Sequence, residues 1–200
     1  MSAAIDFYFD FSSPYGFLAS QKIEALAAKF GRPVDWHPVL LGVIFKETGA
    51  MPLPMIPLKG EYSKRDFARS ARFHGVAFRM PSKFPIATIA AARIVLWLKR
   101  RDPALAVRVA KALYRAYFLA DVDISEPEQA IAVAAEEGVD ANEARAAIAA
   151  HEVKERLKSE VEQAIARGVF GSPYIIVDGE PFWGVDRFDQ IERWLAAGGF

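Results

Sequence analysis

The chain has 200 residues, 52% of them apolar, with 25 basic and 25 acidic side chains and a formal net charge of zero. That length and apolar content can bury a full core as one compact unit, or as one domain with an insertion. Zero net charge removes the electrostatic footprint of a nucleic-acid binder, and the absence of cysteine excludes structural disulfides, thiolate-ligated zinc and self-contained dithiol chemistry.

Met1 to Asp10 reads as an apolar strand, with Ile5-Asp6-Phe7-Tyr8-Phe9 rich in β-branched and aromatic residues. Met-Ser-Ala-Ala runs straight into it with no basic or apolar leader, so no signal peptide is expected. No membrane span is expected either: the longest apolar run, Pro85 to Leu98, contains Arg93 and ends in Lys99-Arg100-Arg101. A soluble, cytoplasmic protein is the default expectation.

Pro14 suits the first turn of a helix, where its missing N–H costs nothing. Ala19, Ile23, Leu26, Ala27 and Phe30 then follow as one helical stripe, closed by Gly31 and Pro33. Val34 to Val39 makes a second strand, expected to lie parallel to the first in a βαβ unit. Met51-Pro52-Leu53-Pro54-Met55-Ile56-Pro57 is a proline-punctuated loop, and from about Glu61 to Arg167 the pattern is almost wholly helical. Ser125-Glu126-Pro127-Glu128 reads as a capping box and Asp140 with Glu143 as a second, while Gly138 and Gly168 mark helix ends. Tyr174 to Val177 and Glu180 to Trp183 flank Asp178-Gly179, a type I′ hairpin signal, and Asp186 to Ala197 closes the chain as a helix.

A strand, a helix start carrying Ser13-Pro14, and a late Ser172-Pro173 before a strand form the skeleton of a thioredoxin-like fold. Residues 1–44 and 169–200 are expected to make that domain, with 45–168 as an all-helical insertion covering the cleft. Ser13 stands where a redox protein of this shape carries its reactive cysteine, so thiol chemistry here needs a borrowed thiol. The local reading of Ser13 leaves two roles open, a helix N-cap or a hydroxyl donor to an anion. None of the three histidines, His37, His74 and His151, is spaced to serve it as a base. Ser172-Pro173 is either an ordinary turn or a cis bond presenting backbone groups to a ligand. Asp186 is either the N-cap of the last helix or a carboxylate for a cation.

These segments together resemble the kappa-class glutathione transferase and 2-hydroxychromene-2-carboxylate isomerase family, a DsbA-type branch of the thioredoxin superfamily. The resemblance covers essentially the whole chain. It is carried by Asp10-Phe11-Ser12-Ser13-Pro14-Tyr15, Leu41 to Gly49, Phe84-Pro85, Asp123-Ile124-Ser125, Gly168 to Pro173 and Phe182 to Arg187. It implies an α/β, DsbA-like fold and glutathione as cofactor. Ser13 would face the glutathione sulfur, the Ser172 backbone would pair with its cysteinyl part beside a cis Pro173, and the Val185 backbone and Asp186 side chain would hold its γ-glutamyl end. Ala50 and Ala87 depart from the family's asparagines, which leaves the second substrate open. Lys59, Tyr62 and Arg65 are candidates for replacement polar contacts, against the plain reading of a solvated helix face. The implied activity is glutathione-dependent isomerisation of a small aromatic-degradation intermediate. A kappa-type transferase or peroxidase is the alternative, and a non-catalytic glutathione-binding module a more distant one. The resemblance also allows a homodimer, and no metal is expected.

Overall fold

The computed structural model describes residues 3–200. Met1 and Ser2, where the sequence places the start of the first strand, lie outside the described residues. Strand β1 (Ile5–Phe9) pairs in parallel with β2 (Val34–Pro38), Ile5 opposite Val34. Its other edge pairs antiparallel with β3 (Tyr174–Val177), and β4 (Glu180–Trp183) completes the sheet in the order β2-β1-β3-β4. The β3–β4 turn has Asp178 at φ 52° and Gly179 at φ 91°, the pair of positive values a type I′ turn requires.

Alternation along β1 divides the core. Ile5, Phe7 and Phe9 face one hydrophobic cluster and Tyr8 the other, because successive side chains leave opposite sides of a strand. The first cluster is covered by α1 (Pro14–Ser20), α2 (Ile23–Lys29), α6 (Pro103–Phe118) and α10 (Phe188–Ala197), through Phe17, Leu26, Tyr114, Phe118 and Ile191. The second is covered by α3 (Leu41–Thr48) and α9 (His151–Ala166), through Ile44, Leu157 and Val161. Helix α5 (Ile89–Lys99) contributes to both, Ile94 and Val95 to the first and Ala92 and Leu96 to the second, so it is apolar nearly all round. The remaining helices are α4 (Lys59–Phe73), α7 (Pro127–Glu136) and α8 (Ala141–Ala149). No helix among the described residues is long and apolar enough to cross a membrane.

Three local expectations shift. The stripe from Ala19 to Phe30 is not one helix: α1 ends at Ser20 and α2 starts at Ile23. The Ser20 hydroxyl donates back to the Phe17 carbonyl at 2.6 Å, and Gln21 and Lys22 donate to the carbonyls three residues before them, which tightens and ends the first turnset. The capping box at Ser125 does not form. The Asp123 carboxylate takes both the N–H and the hydroxyl of Ser125, and Glu126 becomes the N-cap of α7 without a side-chain bond. The last helix starts at Phe188, after a 3₁₀ turn at Val185–Arg187, so Asp186 is not its N-cap. Asp140 does cap α8, accepting from the N–H groups of Asn142 and Glu143 at 2.9 Å each.

Candidate functional site

Ser13 is the N-cap of α1, in extended conformation at φ −93° and ψ 114°, and its Oγ accepts from the Gly16 N–H at 3.0 Å. The same hydroxyl donates to the carbonyl of Ser172 at 2.7 Å, although 159 positions separate the two residues. The Ser172–Pro173 peptide is cis, and Pro173 in turn accepts from the Gly184 N–H at 3.1 Å, which ties in the turn that carries Val185 and Asp186. Ser13 and Ser172 are 5% and 8% exposed, so this junction is drawn nearly closed.

Asp10, at the end of β1, organises the junction. Its backbone N–H donates to Ser172 Oγ at 3.0 Å, and its carbonyl accepts from the Ser13 N–H and from the Tyr114 hydroxyl, each at 2.9 Å. Its carboxylate is 4% exposed and accepts from Ser12 N at 2.8 Å, Leu41 N at 2.7 Å and Thr88 Oγ1 at 3.0 Å. Burial pushes its pKa up, opposed by those donors, with the Leu41 and Ser12 N–H groups ahead of Thr88. Gly16 is required by the close packing: a Cβ there would stand 2.7 Å from both Ser172 Oγ and Tyr114 Oη. Ser12 Oγ accepts from Ile86 N at 3.1 Å, which anchors the loop after the cis Phe84–Pro85 bond.

Tyr15, two residues past Ser13, donates to the Asp66 carboxylate on α4, which also receives Arg69. Tyr62 joins at 3.5 Å from Asp66 and accepts from Arg69 at 2.9 Å, so of the three weaker candidates it is the one linked to the Ser13 side. Lys59 and Arg65 are exposed on the same helix. Asp186 is also exposed, with 67% of its side chain accessible, and its carboxylate accepts from Arg187 Nη2 at 2.8 Å. Val185 beside it is buried. Phe170 and Trp183, edge to face at 4.9 Å, stand exposed beside Gly171, where any Cβ would collide with the indole.

A separate polar cluster lies where β1 and β2 meet α9. His37 Nδ1 donates to Glu160 at 2.5 Å, and Nε2 lies 3.1 Å from Asp35 and 3.4 Å from Asp6, ion pairs without an aligned hydrogen bond. Asp6, Asp35 and His37 have ligand atoms within 4.8 Å of one another, the spacing of a cation site, but Lys99 and Arg167 already supply positive charge to the two aspartates.

Of the residues expected to act, Ser13, Ser172 and Pro173 meet directly, and Val185 and Asp186 join through one backbone bond. Asp10, Tyr114, Thr88, Gly16 and Asp66 were missed. Asp10 was visible only as part of the serine-proline segment, and the others had no local signal.

A four-stranded mixed sheet with this helical complement, and a helix start facing an X-Pro turn, define a DsbA-like thioredoxin fold. The family model described as "DSBA-like thioredoxin domain" matches residues 4–196, and the chain belongs to that family. It is 29% identical to a 2-hydroxychromene-2-carboxylate isomerase of Sphingobium xenophagum, over 98% of this chain and 99% of that one. It is 28% identical to glutathione S-transferase kappa 2 of Caenorhabditis elegans, over 96% of this chain and 91% of that one. A solved 2-hydroxychromene-2-carboxylate isomerase superposes with a TM-score of 0.87 at 23% identity, covering 96% and 94% of the two chains. The chain is thus similar over nearly its whole length to enzymes that carry one of two names, isomerase or glutathione transferase.

Proposed function

We propose that the protein is a glutathione-dependent isomerase acting on a small aromatic-degradation intermediate of the 2-hydroxychromene-2-carboxylate kind. The observation that carries the reading is the 2.7 Å bond from the Ser13 hydroxyl to the Ser172 carbonyl in a chain with no cysteine. It gathers, beside an X-Pro turn, a hydroxyl donor and a backbone acceptor, and the chain offers no thiol of its own to use them.

The residues fit a thiol peptide in two respects. Asp186 offers an exposed carboxylate to an ammonium, shared among the described residues with the neighbouring Arg187, and Ser172 offers a carbonyl to an amide N–H. Glutathione, when bound, supplies the nucleophilic thiolate. The chain's part is to hold that charge. The Ser13 hydroxyl turns from the Ser172 carbonyl to the sulfur, which frees the carbonyl to accept from the ligand backbone, so one exchange serves both contacts. Gly16 N–H keeps Ser13 Oγ in place as it turns. Helix α1 has seven residues, so the hydroxyl carries more of the stabilisation than the helix dipole does. A hydrogen bond to a charged group contributes roughly 1.5–3 kcal/mol, or about 1–2 pKa units on the bound thiol. Lys59 and Arg65 are the cations offered to a substrate carboxylate, and Tyr62 is steered by Asp66 and Arg69. The reading includes a cytoplasmic homodimer, which sedimentation checks for its oligomeric part.

Ultraviolet titration of bound glutathione tests it. Ser13→Ala is expected to keep fold and binding while raising the thiol pKa by about 1–2 units. Equal pKa values in the two proteins would end this role for Ser13. A kappa-type transferase uses the same thiolate, and similarity to the Caenorhabditis transferase keeps that second reading. Product analysis separates them: an isomerase returns glutathione unconsumed, a transferase incorporates it, and a binding module does neither.

A further inference from the structure

Arg93 breaks the apolar pattern of α5. Its neighbours Ala92, Ile94, Val95 and Leu96 are buried in the two cores, while Arg93 itself is half-buried at their edge. Its Nη1 donates to the Ile148 carbonyl at 3.1 Å, and its Nε is buried with no acceptor. No carboxylate among the described residues pairs with it, and burial is the one influence that depresses its pKa. A cation partly withdrawn from water, with one buried N–H unsatisfied and no counter-charge, gains when an anion arrives to accept from it.

Arg93 lines an open surface pocket of about 430 Å³. Apart from its cations and Ser125 the walls are apolar, from Ala87, Ile89, Pro127, Ile148 and Ala149, and no acidic residue among the described ones lines it. Two more cations stand at its edge. Arg145 is spoken for, its fork held by both oxygens of Glu128 at 2.9 and 2.7 Å, while Lys154 has no ion-pair partner among the described residues. The surplus positive charge therefore comes from Arg93 and Lys154.

We propose that this cavity is a binding site for a small organic anion, a carboxylate on an apolar body, with Arg93 as its anchor and Lys154 as a second cation. A planar carboxylate matches the guanidinium fork. The apolar walls select an organic body over a bare inorganic ion, and the volume lies in the range of small-molecule pockets. Ala87 on its wall follows Ile86, whose N–H donates to Ser12 Oγ, but the inference does not rest on the Ser13 chemistry and its test needs no glutathione.

Calorimetric titration of 1-naphthoate, 1-naphthamide and inorganic phosphate into the full chain, without glutathione, tests it. Naphthoate is expected to bind saturably, and both the amide and phosphate to bind at least about tenfold more weakly. Arg93→Met, which keeps the length and apolar stem of the side chain, is expected to weaken naphthoate binding by about tenfold or more, with Arg93→Lys in between. The proposal is overturned if naphthamide or phosphate binds as tightly as naphthoate, if Arg93→Met binds it like wild type, or if no saturation occurs below about 10 mM. Should Arg93→Met fail to fold, Arg93→Lys and the three ligands on wild type still decide the matter.

Discussion

Asp10 and Arg93 are charged side chains at α5, Asp10 fully buried and held through Thr88 at the helix start, Arg93 half-buried on its second turn. They are treated in opposite ways. Asp10 has three donors on its two oxygens, and its backbone holds Ser13, Ser172 and Tyr114 as well. Arg93 has one carbonyl and an unsatisfied Nε. A buried charge whose partners all come from the chain fixes geometry. A half-buried one whose partners are incomplete leaves room for a ligand to supply them. The contrast assigns Asp10 to positioning and Arg93 to recognition.

The largest effect is expected at Asp10. Asp10→Ala strands the N–H groups of Ser12 and Leu41 and the hydroxyl of Thr88, and breaking such a buried set costs about 3–5 kcal/mol. Urea unfolding reads this directly. A loss under about 1 kcal/mol would show that water replaces the carboxylate freely, and the distinction between the two charges would fall.

His37 offers an intermediate case, a charge that is paired on both ring nitrogens. Burial pushes its pKa down, but Asp35 and Glu160 outweigh this and raise it to about 9. Lys99 opposes them, Asp6 and Arg167 lie alongside, and Arg156 faces Glu160. With the folded pKa above the ordinary 6.5, the stabilisation is present in full below about pH 6.5 and is lost as pH rises through about 9. Its size is on the order of 3 kcal/mol. Unfolding free energies measured from pH 6 to 10 should show that decline in wild type and not in His37→Gln. A profile unchanged by the substitution would mean that the ring is not charged in the folded protein.

How far each feature could be read from the sequence depended on the range of its causes. The β3–β4 hairpin was legible to the residue because Asp178-Gly179 is a two-residue device whose positive φ values depend on nothing distant. Ser13 was legible as a cap for the same reason, since Gly16 is three positions away. Resemblance put it and Ser172 against the same ligand, and the two are hydrogen-bonded. What stayed hidden depends on partners far along the chain. Thr88 lies 78 positions from Asp10 and Tyr114 lies 104 away, and neither contact leaves a periodic trace. The failed capping box shows the same limit at short range. Ser125 had two suitors, and the Asp123 carboxylate, two residues upstream, took both its N–H and its hydroxyl. The split between α1 and α2 was missed because Ile23, Leu26 and Ala27 keep facing the core through the break, so the apolar stripe never registers it.

The smallest effect on the fold is expected at Asp186, and it bears on the proposed thiol site alone. Its carboxylate is exposed and does not cap α10, so among the described residues the bond at risk is the one from Arg187. Asp186→Asn should therefore leave the unfolding midpoint almost unchanged, within about 0.5 kcal/mol for a surface change of this kind. Glutathione binding is a different matter. An amide keeps one acceptor oxygen, replaces the other with a donor and removes the charge that an ammonium seeks. Arg187 already competes for that charge in the free protein, so the loss belongs near the low end of a charged hydrogen bond, about 1.5 kcal/mol or roughly tenfold in affinity. Calorimetric titration of wild type and variant, with unfolding curves on the same samples, separates the two quantities. Equal affinities would leave Asp186 as an exposed partner of Arg187 and move the search for the ammonium's acceptor elsewhere. A matched fall in affinity and stability would mean that the turn at Gly184 needs the carboxylate for its own shape.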